Sequence, residues 1–395
     1  MKRHLFATAI LLMLLPAAAS AQWYLFPGKR QAGDSTAVAG KVLVPVDAEN
    51  ADASLSGGMQ TDSVFRVTLI LPFRSGATPS SNFLDFYCGV LMAADDLCSS
   101  DKQYEISVFD STLGLPSSWE ISDSDLIIGP VSCEDMQTII PRARGKYIVS
   151  PLDPKVASLT SEFNVIQAPS GWEAQVDELV LWIGEDLRAG DTVVLLQSAE
   201  DAGGEMTERL ARKLSEAGIK YEIGSDPAMK EGTTSATCRF ILASDNDSFC
   251  SAAVRSIALM NLRGGSNILY GTSKLRSLPD LEVESIHAAS ARIAASYYAD
   301  PSDSSVRLFN ERYKTLFKGE PGQWVYQGYD LMNYFGGTLR YAGGDWPQKI
   351  ASCPGKGLQA DFRFGAAGKA NSAVRRLKYN SDNTITVVQQ MIWKE

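Results

Sequence analysis

From residue 64 onward, short apolar runs alternate with segments whose apolar residues recur at helical spacing. Residues 67–72 (VTLILP) form a compact apolar run, the pattern of a strand buried on both faces. Ser80 and Ser81 can cap the helix that follows, where Phe83, Phe86, Val90, Leu91, Ala94 and Leu97 share one face. Further strands are expected at 104–110, 125–129 and 146–150, with a helix running through Ile140. After Gln167 the alternation restarts. A helix over 172–187 carries Val176, Leu179, Val180 and Ile183 inward, and a strand over 191–197 follows. The next helix carries Met206, Leu210 and Leu214; strands at 220–223 and 239–243, a helix over 249–262 and a strand over 267–270 complete the series. Strand–helix alternation builds parallel sheets with helices on both faces, so two such series predict an α/β protein of two Rossmann-like lobes. The C-terminal third departs from this pattern. It reads as a strand over 287–296, helices over 304–317 and 321–341, and antiparallel strands at 359–364, 373–378 and 384–393, the last two joined by a turn at 379–383.

The N-terminus has a different character. Lys2 and Arg3 precede an apolar stretch over 5–15, and Ala19-Ser20-Ala21 supplies a small-x-small cleavage pattern. That stretch is shorter than the roughly 20 residues a membrane span needs, so it is expected to be a cleavable leader directing the chain to the periplasm. Gln22, not Cys, follows the cleavage pattern, so no lipid anchor is expected. Residues 22–62, rich in Ala, Gly, Ser and Asp, read as a flexible tether in which 42–46 (VLVPV) could dock as a stray strand. No later stretch is apolar enough to predict a membrane span.

Charge and rare residues narrow the function. The leader holds two of the 37 basic and none of the 46 acidic residues, leaving 35 against 46, a net charge of −11. An acidic chain without a basic run is unsuited to nucleic acid or anionic lipid. The six cysteines show no CxxC, and Cys88 and Cys98 fall on one predicted helix about 15 Å apart, beyond disulfide reach. They read as small buried apolar residues or, alternatively, as part of a disulfide framework. His287 is the one histidine beyond the leader, which excludes a multi-His zinc site. No HExxH, GxSxG, P-loop or GxGxxG occurs. No cofactor or metal is predicted, and a non-enzymatic role is expected.

The residues at 67–73 (VTLILPF), 86–94 (FYCGVLMAA), 125–130 (DLIIGP), 147–152 (YIVSPL), 309–317 followed by Glu320-Pro321, and 327–335 (QGYDLMNYF) give the chain a family likeness. Over about 64–395 it resembles the type I periplasmic binding proteins, in the branch of the leucine/isoleucine/valine receptors. It is similar in particular to envelope proteins that pair this module with LysM peptidoglycan-binding repeats, although no LysM-like segment is present. The resemblance implies three hinge crossings, near 167–170, 296–298 and 353–358. Lobe one would comprise 64–168 plus 297–355, and lobe two 169–296 plus 356–395.

In open α/β sheets ligands sit beyond the carboxyl ends of the strands. That rule selects Phe73, Arg74, Ser132, Cys133, Leu152 and Asp153 in lobe one, and Gln197, Ser244, Asp245 and Thr272 in lobe two, with Tyr298 at the second crossing. The resemblance implies that hydroxyl and small residues of lobe one hold a ligand carboxylate and that an acid of lobe two meets an ammonium. Here Asp153 would repel a carboxylate and Pro154 lacks an N–H donor. Asp153 also reads as a turn or cap residue, Ser132 as a plain N-cap, Tyr298 as hinge packing and His287 as structural. Two functions follow as expectations. One is capture of a small polar solute, amino-acid-like or cell-wall-derived, with an ABC transporter as possible partner. The other is a cell-envelope interaction or regulatory module with a degenerate solute site, linked to peptidoglycan assembly through an envelope protein.

Overall fold

A computed structural model describes residues 22–23, 63–99, 101–232, 236–242, 244–366 and 368–388 of the chain. The predicted leader, nearly all of the predicted tether and the end of the last predicted strand lie outside the described residues. The strands are β1 (Gln22–Trp23), β2 (Ser63–Leu71), β3 (Lys102–Asp110), β4 (Leu126–Ile128), β5 (Ile148–Ser150), β6 (Val165–Gln167), β7 (Thr192–Leu196), β8 (Glu222–Gly224), β9 (Cys238–Leu242), β10 (Asn267–Thr272), β11 (Arg292–Ala295), β12 (Gly355–Lys356), β13 (Asp361–Phe362), β14 (Arg375–Tyr379) and β15 (Ile385–Val388). The principal helices are α1 (Ser81–Leu97), α2 (Cys133–Ile139), α3 (Trp172–Asp186), α4 (Glu205–Glu216), α5 (Asp247–Leu262), α6 (Val283–Ala288), α7 (Ser304–Phe317) and α8 (Gln323–Leu331).

The chain divides into two compact units. The first takes the described residues up to Pro169 together with Ala299–Ser372; the second takes Ser170–Tyr298 and the described residues from Ala373 on. The first unit holds a sheet in the order β1-β3-β2-β4-β5-β6, parallel from β3 to β6 with β1 antiparallel at its edge. The second holds a sheet in the order β15-β14-β11-β10-β9-β7-β8, parallel from β11 to β8. In both, the strand that opens the parallel series lies between its two successors, which places a topological switch point between β2 and β4 and between β7 and β9.

Strand burial explains the apolar runs. In the second unit Val194, Phe240, Leu269 and Ile293 face one side, against Val254 and Ile257 of α5. Val193, Leu195, Ile241 and Tyr270 face the other, against Val176, Leu179 and Ile183 of α3 and Leu210 and Leu214 of α4. A sheet covered on both faces has no polar side to present, so its strands lose the two-residue alternation.

In the first unit α1 and α8 meet backbone to backbone. A Cβ on Gly89 would sit 2.0 Å from the Val325 carbonyl oxygen, and one on Gly328 would sit 1.9 Å from that of Phe86. Glycine at both positions is what permits this crossing.

Three expectations are corrected. Residues 287–296 are not one strand: α6 ends at Ala288, Ser290 takes a left-handed conformation (φ 51°), and β11 starts only at Arg292. The acidic Glu284 in the first turn and the alanines at 288 and 289 favour helix over strand here. The helix expected over 321–341 passes through a π-helical stretch at Met332–Gly336 before resuming at Gly337–Ala342. The third change-over falls at 372/373, so residues 356–372 side with the first unit. Asn371 accounts for this: its Nδ2 donates to the carbonyls of Ala168 (2.9 Å) and Asp361 (2.7 Å), and its Oδ1 accepts from the Arg363 N–H (2.9 Å). Ala370 bridges in parallel to Gln167, the last residue of β6.

Nearby, the buried Asp330 carboxylate accepts three backbone N–H groups, from Leu358 (2.6 Å), Gln359 (2.9 Å) and Ala360 (2.9 Å). An amide offers one acceptor oxygen where the carboxylate offers two. Asp330→Asn is therefore expected to cost about 1–3 kcal/mol, read as a lowered urea midpoint at unchanged slope.

Candidate ligand-binding cleft

Beyond the carboxyl ends of β7, β9 and β10, beside the switch point of the second unit, lies a cleft of ≈ 840 Å³. Loops and helix starts supply its walls. After β7 come Glu200 and Asp201, then the α4 entry with Glu205 and Thr207. After β9 come Ser244 to Asp247, and after β10 come Thr272, Ser273 and Lys274. Trp172 and Gln175 from the first turn of α3 and Ser277 and Leu278 beyond the β10 turn add to the lining.

These loops are rigidly tied. Asp201 Oδ2 accepts from the N–H (2.9 Å) and hydroxyl (2.7 Å) of Ser198. Thr207 Oγ1 donates to the Asp201 carbonyl at 2.7 Å. Asn246 caps α5 by accepting the Phe249 N–H (2.9 Å), while its amide donates to Glu200 Oε2 (2.9 Å). The Ser244 hydroxyl accepts the Asn246 N–H (3.0 Å). Lys274 Nζ lies 3.0 Å from Asp247 and 3.6 Å from Asp245 and donates to the Asp245 carbonyl.

The charge balance of the lining is one-sided. Among the described residues of the lining, Glu200, Asp201, Glu205, Asp245 and Asp247 face a single base, Lys274, whose ammonium is already engaged by two of them. Partial burial raises the Asp201 carboxyl pKa, but hydrogen bonds from Ser244, Ser198 and neighbouring backbone outweigh this and hold it below the ordinary carboxylate value. Burial lowers the Lys274 pKa, and the Asp247 and Asp245 carboxylates more than reverse this. Both therefore carry full charge at neutral pH. The cleft can hold a cation or a donor-rich polar group.

The residues singled out in the sequence separate into two groups. Ser244, Asp245 and Thr272 line this cleft. Gln197 does not: its N–H donates to the Gly224 carbonyl (3.0 Å), extending the β7–β8 pairing. Tyr298 packs against the core on one side of the second sheet, with the Arg276 guanidinium 5.1 Å from its ring centroid. In the first unit Phe73 is buried edge-on against Tyr87, Leu152 is half-buried, and Ser132 caps α2 by accepting the Asp135 N–H (3.1 Å). Asp153 Oδ2 accepts the Cys133 N–H (3.1 Å) and its Oδ1 that of Lys155 (2.9 Å). Asp110 accepts the N–H groups of Arg74 (3.3 Å), Ser75 (2.7 Å) and Thr112 (3.0 Å), and Arg74 adopts a left-handed φ of 59° there. The chain's own carboxylates thus take up the loop-tip donors of the first unit. Ser150 Oγ and Gln167 Oε1, paired across β5 and β6, are buried without a protein partner, so each retains hydrogen-bonding capacity for water or solute.

Burial raises the Asp110 pKa, yet the Ser75 and Thr112 hydrogen bonds bring it below the ordinary value. A depressed carboxyl stabilises the fold above its unfolded pKa of about 3.9, and that contribution is lost as the pH falls through the folded value. Asp110→Asn is expected to cost about 1 kcal/mol at pH 7, given its exposure, and progressively less at low pH. Urea unfolding at pH 7 and pH 3 checks this; an equal penalty at both would contradict it.

None of the six cysteines is in a disulfide, and Cys238, Cys250 and Cys353 are buried. Burial pushes the Cys238 and Cys250 thiols up to about 11. Among the described residues no group of three or more His, Cys, Asp or Glu side chains could hold a metal ion, and no helix is long and apolar enough to cross a membrane.

Comparison with known proteins defines the fold. No protein-family model matches, and no curated protein sequence matches. Solved structures do. A Rhodospirillum rubrum protein assigned to branched-chain amino acid ABC transport superposes with a TM-score of 0.62 at 14% identity, over 82% of this chain and 100% of its own. A Desulfitobacterium hafniense ABC transporter substrate-binding protein in complex with Leu gives 0.50 at 13% identity, over 82% and 100%. LpoA of Haemophilus influenzae gives 0.51 at 12% identity; the match covers 84% of this chain and 60% of LpoA. The fold is that of the type I periplasmic binding proteins. At these identities the likeness concerns the fold, and nothing in it pairs this chain with LysM repeats.

Proposed function

We propose that the chain is an exported, non-enzymatic binding protein whose second-unit cleft takes a small polar solute bearing an ammonium group, amino-acid-like or cell-wall-derived. The observation that carries this reading is the one-sided lining: five carboxylates and a single, already engaged lysine around ≈ 840 Å³ at a switch point. Solute-binding proteins of transporters share the fold, and the leader pattern at 2–21 supports export to the periplasm. Delivery to an ABC transporter is the corresponding partner role.

A thermal-shift screen with amino acids, diamines and amino sugars tests the reading. A solute at 100 times its Kd adds about 2.7 kcal/mol to the folded state, so ammonium-bearing compounds are expected to raise the Tm. Glu200→Gln with Asp245→Asn should remove the rise. Equal response to ammonium-free analogues would exclude the proposed chemistry.

A second reading has its own support. Asp153 and Asp110 engage backbone N–H groups of the first unit's loop tips, which puts negative charge where a ligand carboxylate would sit, and LpoA has this fold. On that reading the chain is an envelope interaction module with a degenerate solute site. A screen flat across all solutes, with a defined envelope partner binding the pure protein, would favour it.

A further inference from the structure

The turn Ser273–Arg276 after β10 has two sides. Ser273 and Lys274 line the cleft; Arg276 is absent from the lining and points to other partners. Its Nη1 donates to the Tyr297 carbonyl (2.7 Å), its Nε to the Tyr379 hydroxyl (3.2 Å), and its guanidinium stacks on Tyr298. Tyr297 and Tyr298 are the last residues before the chain leaves the second unit. On the cleft side, Gln175 Oε1 accepts both the Ser273 N–H (2.8 Å) and hydroxyl (2.9 Å). Gln175 Nε2 donates to Ser296 Oγ (3.0 Å), which donates to the Ser170 carbonyl (2.8 Å). Ser170 is the first residue after the chain enters this unit. Gln175, Ser170 and Ser296 are all buried.

We propose that the Ser273–Arg276 turn couples the cleft to the two segments, at Ser170 and at Ser296–Tyr298, by which the chain passes between its units. Loads on the turn reach the first segment through Gln175 and the second through Ser296 and Arg276. Arg276 is a positioning residue in this scheme, since it acts on the crossing segment and not on a solute. The Gln175–Ser296–Ser170 arm is buried, and none of its members can move alone without losing a bond; the Arg276 arm is exposed and acts through its bond to the Tyr297 carbonyl and its contact with Tyr298. The solute-dependent half of the proposal rests on the function proposed above; the coupling itself does not.

Hydrogen exchange of the full chain separates the two. In Arg276→Ala the loss of a charged hydrogen-bond donor should raise exchange at 296–299 roughly tenfold or more, with β7 and the α3 core unchanged. A rise confined to 273–277 would overturn the coupling. If Arg276→Ala loosens the whole unit, Arg276→Lys is the variant that decides, read at the same peptides. Putrescine is the probe for the second half: in the wild type it should slow exchange at 170–171 and 296–299. In Arg276→Ala it should still raise the Tm while the response at 297–299 is reduced, the Gln175 contact to Ser296 being intact in the variant. Full slowing at 297–299 that persists in Arg276→Ala would contradict the role of Arg276, because the Gln175 arm that survives in the variant reaches Ser296 and not Tyr297 or Tyr298. Absence of any putrescine effect on the Tm counts against the solute reading alone, because the variant comparison decides the coupling without it.

Discussion

Replacing Arg376 with methionine is expected to destabilise the second unit by about 3–5 kcal/mol. Arg376 on β14 is only 3% exposed at its side chain, with Nε 2.5 Å from Glu178 and its terminal nitrogens on Glu185. Its guanidinium lies over the Trp182 ring. It belongs to a buried ionic layer on the α3 side of the sheet, in which Arg292 pairs with Asp186, Arg239 pairs with Asp191 (2.7 Å), and the Tyr270 hydroxyl links Arg239 to Asp186. Removing one cation leaves Glu178 buried and uncompensated, and desolvation, not loss of attraction, dominates the penalty. A second change, Glu178→Leu in the Arg376→Met background, should recover part of the loss because the orphaned charge disappears. Urea midpoints of the single and double variants test this. A single-variant loss under about 1 kcal/mol, or a double variant worse than the single, would contradict the argument.

Gly328→Ala is expected to produce the largest loss in the first unit, about 3 kcal/mol or more. The added Cβ would lie 1.9 Å from the Phe86 carbonyl oxygen and 2.8 Å from its carbon. Those atoms belong to the backbone of α1 and cannot rotate aside, so the two helices must separate. The helix propensity gained, about 1 kcal/mol, is too small to offset this. Gly89→Ala should behave alike, since its Cβ would meet the Val325 oxygen at 2.0 Å. Gly184→Ala is the control. It is also helical, but its nearest neighbour would be the Ile219 Cδ1 at 3.7 Å, an ordinary contact. It should be neutral or stabilising. Equal midpoints for Gly184→Ala and Gly328→Ala would show that propensity, not the close crossing, governs both.

The alternation of apolar runs and amphipathic segments announced most of the sheet-forming strands and the covering helices, because burial of both sheet faces is written into local composition. What local pattern could not show was chain held by distant partners. Residues 356–372 stay with the first unit through Asn371 and Asp330, whose partners lie up to 203 residues away. The strand rule for ligand sites led to Ser244, Asp245 and Thr272 in the cleft. It missed Gln175, whose signal was a glutamine in the first turn of a helix, one residue before the inward-facing Val176. In the first unit the same rule selected Asp153 and Arg74, but it could not show that Asp153 and Asp110 bond to the backbone N–H groups of these loops. That is a matter of tertiary geometry, and it makes the second unit the better candidate for solute contacts.

Native mass spectrometry of the protein, purified without added solute, is the decisive measurement. A fraction of the protein is expected to carry one small amine-containing molecule that is released on denaturation and is lost from Glu200→Gln with Asp245→Asn. A bare wild-type mass that stays bare after incubation with amino acids, diamines and amino sugars would contradict that expectation.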